Sequence, residues 1–173
     1  MNNLVHKTSA EQLLEIVRMA NTVADKFSLH PKDVISAMLD GITKPEPEKR
    51  IFVFGSNLAG RHVGGAARYA YFDHAAEMGV GEGLTGNSYA LTTVGEDFCA
   101  MSLEDVRDRV TLFLGIARFL GDREFQVTRI GCGIAGFKDS EIAPMFADAP
   151  SNCLFDEAWK PFLPSSFRFW GTF

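Results

Sequence analysis

The sequence predicts an α/β domain with a mixed or parallel sheet, helices on the sheet's faces, and an N-terminal helical extension. Three observations carry this. Short apolar runs suited to strands, IFVF at 51–54, SYALTTV at 88–94 and FQVTRI at 125–130, alternate with segments of helical periodicity. Glycines punctuate the junctions between them. A polar, proline-bearing stretch, Lys44–Arg50, separates this pattern from a purely helical one before it.

Residues 8–40 read as two helices. Thr8 and Glu11 stand at capping-box spacing. Leu13, Leu14, Ile16, Val17, Ala20, Val23, Ala24 and Phe27 form one apolar stripe. Pro31 suits the first turn of a second helix, with Val34, Ile35 and Met38 on its apolar face and Gly41 at its end. The domain division is therefore residues 1–47 for the extension and linker, and 48–173 for the main domain. The extension carries no chemistry in its sequence, and is expected to serve in homo-oligomerisation, in contact with a protein partner, or as a cover for the main domain.

In the main domain, IFVF feeds a loop and then a helix from about Gly65 to Met78. SYALTTV precedes a helix opened by Ser102, whose first-turn acids suit the helix dipole. Val106, Val110, Phe113, Leu114, Ala117 and Leu120 supply its core stripe, and Gly121 ends it. FQVTRI leads into a glycine loop, and a further helix starts at Asp139. NCLF at 152–155 reads as a fourth strand, and FRFWGTF as a fifth edge strand or a docked tail.

The bulk numbers narrow the function. The 173 residues are 46% hydrophobic and 23% charged, as in an ordinary globular protein. A net charge of −5 argues against non-specific binding to nucleic acid or to an acidic membrane. No apolar run is long enough to span a bilayer, and the start of the chain does not read as a signal peptide. The three cysteines, Cys99, Cys132 and Cys153, show neither a disulfide framework nor zinc spacing. The expectation is a cytoplasmic protein without metal or cofactor.

Two loops attract attention. Residues 55–65 read GSNLAGRHVGG and residues 131–136 read GCGIAG. Each leaves the carboxyl end of a predicted strand and precedes a helix, where ligands bind in open α/β sheets. Loops of this kind turn free backbone N–H groups toward an anion, and a side chain at the glycines would block the approach. Two such loops side by side suit a pyrophosphate. Neither is a Walker A loop and neither contains GxGxxG. Arg61 and His62 have the chemistry for anion contact, and His62 also for acid–base catalysis. Asp139 reads first as an N-cap and second as a catalytic acid. Cys132 reads as a small buried residue rather than a nucleophile.

The order FVFGSNLAG, GGAA, SYALTT, VTRIGCGIAGF and IAPMF resembles the macrodomain superfamily over about residues 51–160. It resembles most the branch that includes glutamate-ADP-ribose hydrolases, and is similar to small macrodomain-like proteins of phages and bacteria. The resemblance implies a mixed sheet sandwiched between helices and a cleft for ADP-ribose or a related NAD-derived or cyclic nucleotide. It further implies that Gly64, Gly65 and Ala66 form the first phosphate loop, with Asn57 near a distal ribose; Gly55 and Ser56, at the head of that loop, are further candidate ligand contacts. Gly131, Cys132, Gly133, Ile134, Ala135 and Gly136 would form the second phosphate loop, and Phe137 would stack or pack near the distal ribose. The chain departs from the resembled hydrolases at two positions: Thr93 stands in place of their lysine and Ala135 in place of their aspartate. A second macrodomain class carries an acid after its first-loop glycines, where this chain reads Ala66-Ala67-Arg68. Three functions remain open at this stage. They are a nucleotide binder, in a phage setting one that sequesters or degrades a nucleotide signal; an ADP-ribosyl or phosphoester hydrolase using His62 and Asp139; and an interaction module with a vestigial cleft.

Overall fold

The computed structural model describes residues 49–173, together with Val17, Arg18, Asn21, Thr22, Asp25, His30 and Lys32. The chain divides into two compact units, Met1–Glu46 and Pro47–Phe173. In the first, Val17, Arg18, Asn21, Thr22 and Asp25 are helical, and the Thr22 hydroxyl donates to the Arg18 carbonyl at 3.0 Å. The remaining expectations for residues 8–48, including the caps, Pro31 and Gly41, fall outside the described residues.

The second unit is an α/β domain built on a six-stranded mixed sheet. Its strands are β1 (Arg50–Asn57), β2 (Gly83–Thr85), β3 (Ser88–Val94), β4 (Glu124–Val127), β5 (Cys153–Asp156) and β6 (Arg168–Gly171). The spatial order is β2-β3-β1-β4-β5-β6, parallel throughout except for β2. Parallel strands must be covered on both faces, which is why β3 is buried at every residue. The helices are α1 (Gly65–Asp73), α2 (Leu103–Phe119) and the short α3 (Asp139–Ile142), which continues as a 3-10 turn over Ala143–Phe146.

The alternation along β1 divides the core. Ile51 and Val53 point to the α2 face, where Tyr89, Val106, Val110, Phe113, Phe125, Phe146, Phe155 and Trp159 form the large cluster. Phe52 and Phe54 point to the α1 face, where Ala67, Ala70, Ala76 and Ala90 keep the packing thin. Each large apolar side chain buried this way contributes about 1.5–3 kcal/mol, so the α2 face carries most of the stability. The Ser102 side chain caps α2 by accepting from the Asp105 N–H at 3.1 Å.

Three elements differ from the sequence reading. Helix α1 ends at Asp73 rather than near Met78, because Ala75 takes φ +54° and the His74 carbonyl accepts from the Asn87 N–H at 2.8 Å. That exit allows β2, a strand the sequence did not announce, to pair with β3 through a two-residue turn with Gly86 at φ +55°. Strand β4 stops at Val127, since Thr128 turns back and gives both its N–H and its hydroxyl to the Val53 carbonyl. The tail forms β6, an edge strand parallel to β5.

Candidate functional site

A cleft of about 320 Å³ opens at the carboxyl ends of β1, β3 and β4. Topology puts it there. The chain leaves β1 over the α1 face, whereas the segments after β3 and β4 pack on the α2 face. Loops that part to opposite faces leave a crevice between them. Gly55, Ser56 and Asn57 of β1, Thr93 and Val94 of β3, and Thr128 and Arg129 beyond β4 line it, and the two glycine loops form its walls.

The first loop is braced by side chains. The Asn57 amide donates to the Arg61 carbonyl at 2.8 Å and accepts the Arg61 N–H at 3.0 Å. Gly60, at φ +62°, lies so close to residues 79–80 that an added Cβ would stand 2.3 Å from the Gly79 carbonyl carbon. His62 is buried beneath the loop with its ring edge-on to Phe54. Its imidazole faces the carbonyls of Glu77 and Val80 but meets hydrogen-bond geometry with neither. Burial lowers its pKa and keeps the ring neutral, against a smaller opposing effect of those carbonyls. Beyond His62, Gly64 precedes α1 in extended conformation and provides no side-chain cap. The first N–H groups of α1, at Gly65, Ala66 and Ala67, therefore lack partners within the helix, and all three residues line the cleft.

The second loop is braced by its own backbone. Cys132 N–H donates to Arg129 O at 3.1 Å, Gly136 N–H to Gly133 O at 3.0 Å and Phe137 N–H to Gly131 O at 3.1 Å. Gly131, at φ +71°, lies under the Phe137 ring, which leaves no room for a Cβ. The N–H groups of Gly133, Ile134 and Ala135 meet no acceptor among the described residues. Gly133 differs from its neighbours: its φ is not positive, and a Cβ there would meet nothing within 4 Å.

The charged side chains that line the cleft are of one sign. Arg61 and Arg129 are the charged side chains among its described lining residues, in a chain of net charge −5. Arg129 is held in place: its guanidinium grips Asp139 through two bonds, of 2.9 and 2.6 Å. The Trp159 indole N–H donates to the same carboxylate at 2.7 Å. Arg129 above all, with help from Trp159 and Cys132, pulls the Asp139 carboxyl down to about 2. The N-cap expectation for Asp139 is corrected. Lys138 precedes the helix, its N–H donates to the Glu141 carboxylate at 2.8 Å, and Asp139 is turned to Arg129 instead. Cys132 lines the cleft half-buried; burial first, and then the neighbouring Asp139 charge, push its thiol up to about 12. It stays protonated and donates to Ile130 O at 3.4 Å.

Most residues singled out from the sequence come together here. Gly55, Ser56, Asn57, Arg61, Gly64, Gly65, Ala66, Thr93, Gly131, Cys132, Gly133, Ile134 and Ala135 all line the cleft. His62, Asp139, Gly136 and Phe137 are not among its lining residues. Thr93 and Ala135, at the positions where the resemblance implied lysine and aspartate, both border the cleft, and Thr93 directs its hydroxyl to Ser56 O at 3.4 Å. Sequence reasoning missed Arg129, Phe98 and Phe173. Arg129 was open to discovery, because it stands between a strand and a glycine loop. Phe98 carried no signal, since it follows β3 in a turn whose direction the sequence does not encode. Among the described residues no group of three His, Cys, Asp or Glu side chains forms a metal cluster, and no helix is long and apolar enough to cross a membrane. No protein-family model, no curated protein and no solved structure matches this chain.

Proposed function

We propose that the domain is a macrodomain-like protein that binds the diphosphate of an ADP-ribose-type nucleotide between its two glycine loops. One observation carries this reading: two sets of unpartnered backbone N–H groups, at Gly65–Ala67 and Gly133–Ala135, border one cleft whose charged side chains are both arginines. Such an arrangement favours an anion with two centres of charge. The volume, about 320 Å³, lies at the lower end of small-molecule sites, so part of the nucleotide extends over the rim.

Binding is favoured over hydrolysis by the positions of the two proposed catalytic groups. His62 is sealed beneath the first loop, and Asp139 is committed to Arg129 and Trp159. In this reading Asp139 positions Arg129, and His62 supports the loop from below.

Calorimetric titration with ADP-ribose, followed by chromatography of the recovered nucleotide, tests the proposal. Saturable binding with the nucleotide returned unaltered is expected. Conversion of the nucleotide would contradict the binding-only reading, and would point to His62→Ala and Asp139→Ala as the next variants. Unchanged affinity in both Gly65→Val and Gly133→Val would contradict the two-loop cradle.

A further inference from the structure

The cleft has two ends, and one of them is bridged. It runs along the strand order past the carboxyl ends of β3, β1 and β4, between segments that part to opposite faces of the sheet. At the β3 end the two sides meet. The Arg61 guanidinium, from the first loop, lies 5.3 Å from the centroid of the Phe98 ring, from the turn after β3. Arg61 follows Asn57, the last residue of β1, and Phe98 follows Val94, the last of β3, so the bridge stands beyond the ends of both strands. Both residues line the cleft.

The bridge has a fixed half. Phe98 takes φ +62°, a region that bulky residues enter only under strain. Its turn is tied so that it stays there. Gly95 N–H donates to Cys99 O at 2.9 Å, Phe98 N–H to Gly95 O at 3.2 Å, and Cys99 N–H to the Asp97 carboxylate at 3.0 Å. The pairing of Val94 with Ala100 closes the base of the turn. Half of Phe98 is exposed, and its ring meets no other ring among the described residues, so core packing does not account for the strain. The other half is free to move. The Arg61 backbone is anchored by the Asn57 amide, but its guanidinium rests on the ring, a contact that is weak at an exposed site.

We infer that Arg61 and Phe98 close the β3 end of the cleft and select the form in which the nucleotide arrives: a free ADP-ribose-type nucleotide is accepted, and one joined through its distal sugar to a polypeptide is disfavoured. This rests on the diphosphate reading above, with the distal ribose on the Asn57 side. A ligand that ends at that sugar leaves the bridge intact. A ligand that continues as a peptide displaces the guanidinium or pulls Phe98 from its tied turn.

The test compares ADP-ribose with a peptide that carries ADP-ribose on a serine through the distal ribose. Both are titrated into the full chain and into Arg61→Ala and Phe98→Gly. The readout is the ratio of the two affinities, which a general weakening of the cleft does not move. The parent is expected to bind the free nucleotide about fivefold or more tightly than the peptide, the loss of one exposed cation–ring contact together with the steric cost of passing the ring. Each variant is expected to bring the ratio to within about twofold. Glycine takes φ +62° without strain, so Phe98→Gly is expected to melt no lower than the parent. Equal affinities in the parent, or a ratio unchanged in either variant, would overturn the closed end while leaving the diphosphate cradle standing. Absence of binding of either ligand to the parent would overturn both.

Discussion

The two glycine loops look alike in sequence and differ in construction. The first, over residues 55–65, is held by side chains: the Asn57 amide closes it, His62 fills the space beneath it, and Gly60 allows it to lie against residues 79–80. The second, over residues 131–136, is held by its own hydrogen bonds and by the ion pair that fixes Arg129 beside it. The contrast separates two uses of glycine. Gly60 and Gly131 are required by the fold, because a side chain there would collide with the protein itself. Gly133 is not, because neither its backbone angle nor its surroundings demand it. In the proposed reading, a glycine that the fold does not need, beside N–H groups without acceptors among the described residues, serves the approach of the ligand.

Substitutions can break or sharpen this contrast. The largest loss of stability is expected for Gly60→Ala. It forces a Cβ into the 79–80 backbone at a positive φ and should cost about 3 kcal/mol or more, read by chemical denaturation. Asp139→Asn comes next. It weakens the hold on Arg129 and should cost about 2 kcal/mol at neutral pH, together with a loss of nucleotide affinity. The same pair gives a pH dependence. Because the folded carboxyl is lowered from 3.8 to about 2, its stabilisation is complete above pH 4 and is lost as pH falls from 4 toward 2. Acid unfolding of the parent should show this loss, and Asp139→Asn should not.

His62→Leu should have a smaller effect of opposite sign. Replacing two buried, unpartnered ring nitrogens with an apolar side chain should leave stability unchanged or raise it by up to about 1 kcal/mol. It also removes a proton-linked cost. The folded pKa is lowered, so the parent loses stability as pH falls below about 6.5 and the variant does not. Gly133→Val should change stability least, within about 0.5 kcal/mol, and yet weaken nucleotide binding at least tenfold. Gly60→Ala and Gly133→Val together thus separate fold glycines from ligand glycines.

Much of this architecture was legible in the sequence. The alternation of IFVF, SYALTTV and FQVTRI with helical stripes pointed to the central strands of a mixed or parallel sheet, because buried parallel strands read as continuous apolar runs. Strand β2 was not legible: its three residues, Gly-Leu-Thr, lie among glycines, and pairing with β3 alone makes them a strand. Both loops could be identified from their glycines and their place after strands. The direction of single side chains could not. His62 follows Arg61 in a loop that suggests anion contact, and only the packing of Phe54 and Met78 around it shows that it turns inward. Asp139 has a capping residue's position, but the fold brings Arg129 and Trp159 to it from distant parts of the chain.

The central claim is that both loops present their N–H groups to one anionic ligand. A titration of the amide resonances with ADP-ribose tests it most directly. The account predicts that the amides of Gly65, Ala66, Gly133, Ile134 and Ala135 shift together along a single saturation curve. Shifts confined to one loop, or to residues outside the cleft, would contradict it.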